Sequence, residues 1–194
     1  GMTVSHRNAT RHDINAGVRM LLGYEKDTLV KGEPLMVTQN NYALDVFNGE
    51  LFPVRADPAV INTQSLAIRD RHTDSSCYVN IFRTEIDTPV EGRRVVALAD
   101  REVYGTLGTV GVSAVRRACR DYIDFKYDRA DVDRPEYLHA NFGYAMTVHK
   151  AQGSEAPEVL VVIEPSIRLN TEEGRRHCYT ALTRAKKAVT ICWI

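Results

Sequence analysis

The chain has 194 residues, enough for one α/β domain or two small domains with apolar cores. Apolar residues make up 44% and charged residues 26%, which is ordinary for a globular protein and excludes a disordered or fibrous chain. Lys and Arg (25) balance Asp and Glu (25), so the sequence lacks the basic excess of a dedicated nucleic-acid-binding protein, although a local basic groove remains compatible with it.

Neither a membrane segment nor a signal peptide is expected. No apolar run approaches the ~20 residues that cross a bilayer, and the N-terminal residues have no basic stretch followed by an apolar one. Gly1 before Met2 is typical of a cloning remnant, so we expect an excised part of a longer protein. Reduced thiols in a cytoplasmic protein, rather than a zinc site, are expected for four widely spaced cysteines: Cys77, Cys119, Cys178 and Cys192.

The first predicted elements are an extended piece at residues 3–6 and an amphipathic helix from Asn8 to Tyr24. Gly23 is placed to end this helix, and its apolar positions recur at helical spacing: Ile14, Val18, Leu21 and Leu22. From about Lys31 the pattern changes to short β-rich runs separated by turn formers. These runs are 34–38, 51–55, 78–86 and 94–98, and Asn48-Gly49 predicts a tight turn.

The segment after residue 110 is ambiguous. Residues 112–120 favour a helical turn or two, whereas Ile123, Phe125 and Tyr127 alternate as in a strand. The polar run 128–135 ends in Pro135 and is a candidate boundary. Four elements are predicted beyond it: a helical piece at 148–152, a strand buried on both faces at 158–163, a helix at 172–184 and a final strand at 188–193.

The chain therefore divides into two parts that differ in predicted secondary structure. Residues 1–30 and 136–194 predict an α/β domain with a parallel sheet, because strands, helices and a buried strand alternate there. Residues 31–135 predict a small antiparallel β insert within that domain.

The first segment whose side chains could bind a ligand or take part in a reaction is 144–155, immediately before the buried strand. It places hydroxyl, imidazole, ammonium, amide and carboxylate groups in one connection, and such connections carry ligand groups in α/β proteins. Gly153 would let a backbone N–H approach a phosphate oxygen, and Glu155 could accept hydrogen bonds from a ribose. A polar surface connection, with His149 capping a helix, explains the same residues.

The second segment is 174–187, a predicted helix followed by a strand. Arg184 ends that helix, and an arginine fixed on a rigid element is suited to stabilising charge on a transferring phosphoryl group. A solvated basic helix end, favoured by the helix dipole, is the simpler explanation.

Taken together, the two segments are more specific. Thr147-x-His149-Lys150-x-Gln152-Gly153-x-Glu155 resembles motif V of superfamily 1 helicases, and 179–185 (Tyr-Thr-Ala-Leu-Thr-Arg-Ala) resembles motif VI. The variant with Lys150 and Gln152 is similar to the RecD/Dda branch, whose members move 5′ to 3′ on single-stranded DNA. Residues 46–50 (Val-Phe-Asn-Gly-Glu) resemble a short sequence found in that branch. Residues 5–8 (Ser-His-Arg-Asn) occupy the position of its DNA-backbone-contacting segment.

This resemblance implies a fold and a set of roles. Residues 1–30 and 136–194 would be the second RecA-like motor domain, and 31–135 an inserted barrel of the Src-homology-3 type. Arg184 would be the arginine finger. The remaining roles would fall to nucleotide-binding residues Gln152, Gly153 and Glu155, and to DNA-binding residues Thr147, His149, Arg7 and Asn8.

The sequence has neither a G-x-x-x-x-G-K-[ST] loop nor an acidic pair after an apolar strand. ATP and Mg²⁺ are the implied cofactors, and the resemblance assigns the Mg²⁺ ligands to an N-terminal motor domain of the same polypeptide. The chain alone is therefore expected to be inactive as an ATPase, with no metal ligands of its own. Single-stranded DNA is the expected partner, nuclease or recombination subunits are further candidates, and no membrane association is expected.

Three functional hypotheses remain open from the sequence. The first is the C-terminal motor half of an ATP-dependent DNA helicase. The second is the helicase portion of a conjugative relaxase or of an exonuclease V alpha-type subunit. The third, from a different class, is a non-catalytic DNA-binding or adaptor module with a helicase-like fold.

Overall fold

A computed structural model describes residues 1–70, 72, 74–90, 92–106 and 108–194. The chain divides into two compact units, one made of Gly1–Lys26 and Gly143–Ile194 and the other of Asp27–Phe142. No helix in the described part of the chain is long and apolar enough to cross a membrane.

The first unit is built on a parallel sheet. Its strands are β1 (Met2–Ser5), β11 (Ala145–Thr147), β12 (Ala156–Ile163) and β13 (Ala185–Trp193), and its helices are α1 (Asn8–Leu21) and α4 (Glu172–Leu182). The strand order is β11-β1-β12-β13, and every neighbouring pair is parallel. The expected α/β architecture with a parallel sheet is therefore confirmed for this unit.

The sheet of the first unit has buried central strands and one exposed edge strand. Val4, Val159 and Val161 are almost fully buried, as expected for the two central strands β1 and β12. The edge strand β13 is exposed along most of its length, with Trp193 at 65% exposure. Residues 148–152, predicted as helical, form turns that return the chain to the start of β12.

Helix α1 begins at the predicted residue and ends three residues early. Gly23 lies just beyond it with φ of 75°, the left-handed conformation of a helix terminus, as predicted. The face that α1 buries is not the predicted apolar one, since Leu21 is 85% exposed while Asn15 and Arg19 are buried. Asn15 Oδ1 accepts a hydrogen bond from the N–H of Ala145 at 2.8 Å, which attaches α1 to the first residue of β11.

The second unit is rich in β structure. Its strands are β2 (Pro34–Val37), β3 (Leu51–Pro53), β4 (Ala59–Val60), β5 (Leu66–Asp70), β6 (Ser75–Val79), β7 (Ile81–Thr88), β8 (Gly92–Ala99), β9 (Glu136–Tyr137) and β10 (Ala140–Phe142). Its helices are α2 (Asp100–Val103) and α3 (Val112–Lys126). The described strands form three sheets, β10-β2-β3, β4-β7-β8-β9 and β5-β6, and all pairs except β8–β9 are antiparallel.

Two features of the second unit differ from expectation and a third agrees with it. The ambiguous segment is the 15-residue helix α3, whose buried face includes Cys119 and Ile123 while Phe125 is 89% exposed. Strands β9 and β10 lie beyond Pro135 but pair within this unit, so the boundary falls at Phe142. The turn at Asn48-Gly49 is present, with φ of 96° at the glycine.

Candidate functional site

The two motif-like segments meet at one edge of the parallel sheet. Glu155 and Arg184 immediately precede β12 and β13, and these strands are parallel neighbours, so both residues lie at their amino ends. The N–H of Ala156 donates to the carbonyl of Arg184 at 2.9 Å, which fixes the two connections side by side. Residues about thirty positions apart are thus adjacent in space. We call this edge the amino edge.

Arg184 contacts neutral acceptors at the amino edge. Its Nε donates to the Thr180 carbonyl at 3.0 Å, its Nη2 to Thr183 Oγ1 at 3.2 Å and its Nη1 to the Ser154 carbonyl at 3.4 Å. The first contact is one that an arginine at a helix C-terminus commonly makes. Within the described ranges no carboxylate pairs with Arg184, so its charge remains available for an anionic ligand.

Three predicted nucleotide-binding residues lie in the connection before β12. Gly153 has φ of 85° and open space around it, a conformation that favours glycine and leaves its backbone accessible. Glu155 is exposed and forms a salt bridge with Lys186, whose Nζ lies 3.1 Å from Glu155 Oε2. Gln152 is also exposed. Lys186 was not predicted as a site residue, although its position two residues after Arg184 was a usable signal.

A second group of predicted residues lies at the opposite, carboxyl edge of the sheet. Thr147 ends β11, Ser5 ends β1 and Glu164 follows β12. Thr147 is 7% exposed, and its carbonyl accepts hydrogen bonds from the N–H groups of Lys150 and Ala151. The strands therefore separate Thr147 from Glu155 and Arg184, whereas Gln152 and His149 line one cavity.

Glu164 binds several groups at the carboxyl edge, and the sequence analysis did not predict it as a site residue. Its carboxylate is fully buried and accepts hydrogen bonds from the N–H groups of His6 and Arg7 at 3.1 and 3.0 Å. Arg7 Nε lies 2.5 Å from Glu164 Oε2, while the Arg7 side chain is 57% exposed. An acidic residue directly after an apolar strand was the available signal.

The ionisation of Glu164 follows from these contacts. Burial alone would raise its pKa, but hydrogen bonds from the Arg7 N–H, the Arg7 side chain, the Thr10 side chain and the His6 N–H outweigh burial and lower the pKa to about 2. The carboxylate is thus charged at neutral pH and holds the β1–α1 connection in place. Asn8, the other predicted DNA contact here, is exposed at the first position of α1.

Three histidines border a cavity of about 520 Å³ in the first unit. The rings of His6 and His177 are 4.5 Å apart between centroids and meet edge to face, and the His149 and His177 centroids are 6.2 Å apart. Gln152 and Arg168 also line this cavity. His149 was a predicted site residue, whereas His6 and His177 were not singled out individually. We call these three residues the histidine cluster.

The described residues fit one half of a nucleotide site. The accessible backbone at Gly153 and the free charge of Arg184 suit a phosphate group, and the carboxylate of Glu155 suits a hydroxyl. No group of three or more His, Cys, Asp or Glu side chains that could hold a metal ion occurs among the described residues.

Comparison with known proteins shows what the C-terminal part of the chain is similar to. Residues 142–192 match the UvrD-like helicase C-terminal domain family. The chain is 37% identical over 79 residues to the ATP-dependent RecD2 DNA helicase of Deinococcus radiodurans, a match that covers 41% of this chain and 11% of that protein. It is 30% identical over 161 residues to the RecBCD enzyme subunit RecD of Mycobacterium tuberculosis, covering 82% of this chain and 17% of that subunit.

The chain therefore spans between 11% and 17% of the length of these curated relatives. Among solved structures, Bacteroides Pif1 bound to ssDNA aligns over 99% of this chain and 40% of its own, with 12% identity and a TM-score of 0.43.

Proposed function

We propose that this chain, a RecD/UvrD-like C-terminal region of a superfamily 1 helicase, is the second motor half of an ATP-dependent single-stranded DNA translocase. In this role its amino edge completes an ATP site and its carboxyl edge contacts the DNA backbone. The observation that carries the proposal is the meeting of Arg184 and Ser154, because it joins motif VI to motif V at one edge of the sheet.

The chemistry at the amino edge centres on Arg184. ATP, when bound with Mg²⁺ at a phosphate-binding loop on another domain, would supply the phosphoryl group to be transferred. Arg184 would lie against that group and stabilise the charge that develops on it, as arginine fingers do. The contacts of Arg184 with Thr180 and Ser154 hold the guanidinium in place beforehand, which reduces the ordering needed in the transition state.

Nucleotide positioning would fall to the connection before β12. The backbone at Gly153 would approach a phosphate, the Gln152 amide would add a polar contact, and Glu155 would accept hydrogen bonds from the ribose. Lys186 forms a salt bridge with the Glu155 carboxylate. Binding of the ribose would thus compete with this salt bridge.

DNA binding would fall to the carboxyl edge. Arg7 presents a guanidinium that is anchored at Nε, leaving its outer nitrogens for a phosphate oxygen. His149 is exposed in the same unit and Asn8 adds an exposed amide group. Thr147 is 7% exposed and would position the turn that carries His149. Contacts of this kind bind the phosphate backbone without regard to sequence, as a translocase requires.

The wider architecture follows the same resemblance. We infer that the first unit forms a second RecA-like motor domain, predicted as residues 1–30 and 136–194, and that the second unit forms an inserted barrel of the Src-homology-3 type, predicted as 31–135. The mostly antiparallel pairing of the second unit supports a β-rich insert. The missing partner would be an N-terminal motor domain carrying the phosphate-binding loop and the Mg²⁺ ligands, in a cytoplasmic enzyme.

The test is an ATPase measurement on the chain alone and on the complete enzyme, meaning this chain joined to a motor domain that carries a phosphate-binding loop. We expect no ATP hydrolysis by the 194-residue chain, and hydrolysis stimulated by single-stranded DNA in the complete enzyme. Hydrolysis by the purified chain that Arg184→Ala abolishes would contradict the half-site. DNA binding in a complete enzyme that never hydrolyses ATP would favour the adaptor-module hypothesis instead.

A further inference from the structure

We propose that His6 and His177 join His149 in a proton-linked contact with the phosphate backbone of single-stranded DNA, so that binding strengthens as the histidine cluster takes up protons. This inference rests on the proposed function, which it extends from the motif residues to two histidines outside the motif V segment.

The geometry supplies a concave site rather than a flat surface. The histidine cluster borders the cavity of about 520 Å³, and Ser166, Gln152 and Arg168 add hydroxyl, amide and guanidinium donors to its wall. The Nδ1 atom of His6 is shielded from solvent and has no hydrogen-bond partner in the described part of the chain. Because that atom is shielded, a contact between His6 and a phosphate oxygen would use the other ring nitrogen, Nε2.

The charges around the cluster come from every element that faces it. The β1–α1 connection brings His6, the motif V segment His149, the loop after β12 Glu164 and Arg168, and helix α4 Glu173, Arg176 and His177. Burial lowers the pKa of His177, and the neighbouring His6 and His149 lower it further, whereas Glu164 and Glu173 act in the opposite direction. The His177 ring therefore resists protonation, with His6 and His149 contributing through their proximity.

A bound phosphate reverses that balance. Its negative charge favours the imidazolium form, so the protein takes up protons when the DNA binds. By linkage, the affinity then rises as the pH falls through the histidine range. A pKa rise of about one unit at a single imidazole gives at most about a tenfold gain in affinity, reached below both pKa values, so a tenfold change between about pH 6 and about pH 8 needs more than one imidazole.

The experiment measures binding of a labelled oligo(dT) of about 15 nucleotides by fluorescence anisotropy at about pH 6 and about pH 8, at constant ionic strength in phosphate-free buffer. We expect the unaltered chain to bind about tenfold more tightly at the lower pH. His177→Phe keeps an aromatic ring against His6 but cannot be protonated, and it should reduce this ratio to below about threefold. His72→Gln, at an exposed histidine of the second unit, should leave the ratio unchanged.

A second measurement avoids dependence on variants. The ring signal of His177 is titrated by NMR in the unaltered chain with and without oligo(dT), and its midpoint should move to higher pH when the oligonucleotide is bound. Binding that is equally tight at both pH values, or an unmoved midpoint in the bound state, would overturn this inference and leave the proposed function intact. Absence of binding across the whole pH range would overturn both.

Discussion

Arg7 and Glu164 form an ion pair in which one partner is exposed and the other is not. The Arg7 side chain is 57% exposed, the Glu164 side chain is fully buried, and Arg7 Nε lies 2.5 Å from Glu164 Oε2. Glu164 also accepts the N–H groups of His6 and Arg7. The Glu164 carboxylate, which directly follows β12, thus anchors the β1–α1 connection. This connection carries the candidate DNA contacts.

Replacing Glu164 by glutamine should therefore affect both stability and DNA binding. The pKa of about 2 lies below that of an exposed glutamate, so the carboxylate stabilises the fold above about pH 4.5, and this stability is lost as the pH falls towards 2. Glu164→Gln should lower the free energy of unfolding by about 3 kcal/mol at neutral pH. Urea denaturation measures this loss. Glu158→Gln, an exposed position on β12, is the control and should change stability little.

Gly174 should tolerate no side chain. A Cβ atom there would lie 2.0 Å from the carbonyl oxygen of Arg168 and 2.6 Å from its carbon, and backbone atoms cannot move aside cheaply. Gly174→Ala should therefore destabilise the protein by more than about 2 kcal/mol. Gly17→Ala is the matched control, because that glycine lies inside α1 with open space around it. It should stabilise the chain by about 0.5–1 kcal/mol, and equal urea midpoints for the two variants would refute the packing argument.

His12 should make the fold sensitive to mild acid. Burial lowers its pKa to about 4, with a further contribution from Arg11. The unfolded chain takes up a proton near pH 6.5 while the folded chain does not, so stability falls as the pH drops from about 6.5 towards 4. His12→Gln should remove part of this loss. The measurement is the urea midpoint as a function of pH, with His72→Gln as control, and identical pH profiles for unaltered chain and His12→Gln would contradict it.

The elements that followed a local pattern were predictable from the sequence. The apolar run before Glu164 identified β12, and Gly23 identified the end of α1. Helix α3 was ambiguous because Ile123, Phe125 and Tyr127 alternate as in a strand, yet only Ile123 belongs to the buried face of the helix. A short alternation over five residues cannot separate the two periods.

The meeting of Glu155 and Arg184 at one end of the strands was predictable, because the motif resemblance requires both to reach the same nucleotide. The structure produces this meeting through the parallel pairing of β12 with β13, whereas the partners of these residues were not predicted. Glu164 and Lys186 gain their roles only through partners far away in the sequence, Arg7 and Glu155. Long-range pairs of this kind leave no periodic signal in one sequence.

Binding to single-stranded DNA should be salt-dependent, because phosphate contacts release counterions. Each neutralised phosphate adds about −0.7 to the slope of log affinity against log salt. Arg7→Ala should therefore weaken oligo(dT) binding and reduce the slope by about 0.7. Arg129→Ala, at an exposed position of the second unit, should leave the slope unchanged. Tight binding that is insensitive to salt would contradict a backbone-contacting site.

The most direct test of the half-site is the turnover of the complete enzyme with Arg184→Ala. Among the described residues Arg184 contacts only neutral acceptors. Its loss should leave nucleotide binding largely intact and lower kcat by roughly 10³-fold or more, as for an arginine finger. Arg175→Ala, on the exposed surface of α4, serves as control and should retain full turnover. A kcat within about threefold of the unaltered enzyme, measured at saturating ATP and single-stranded DNA, would contradict the assignment of Arg184 as the arginine finger.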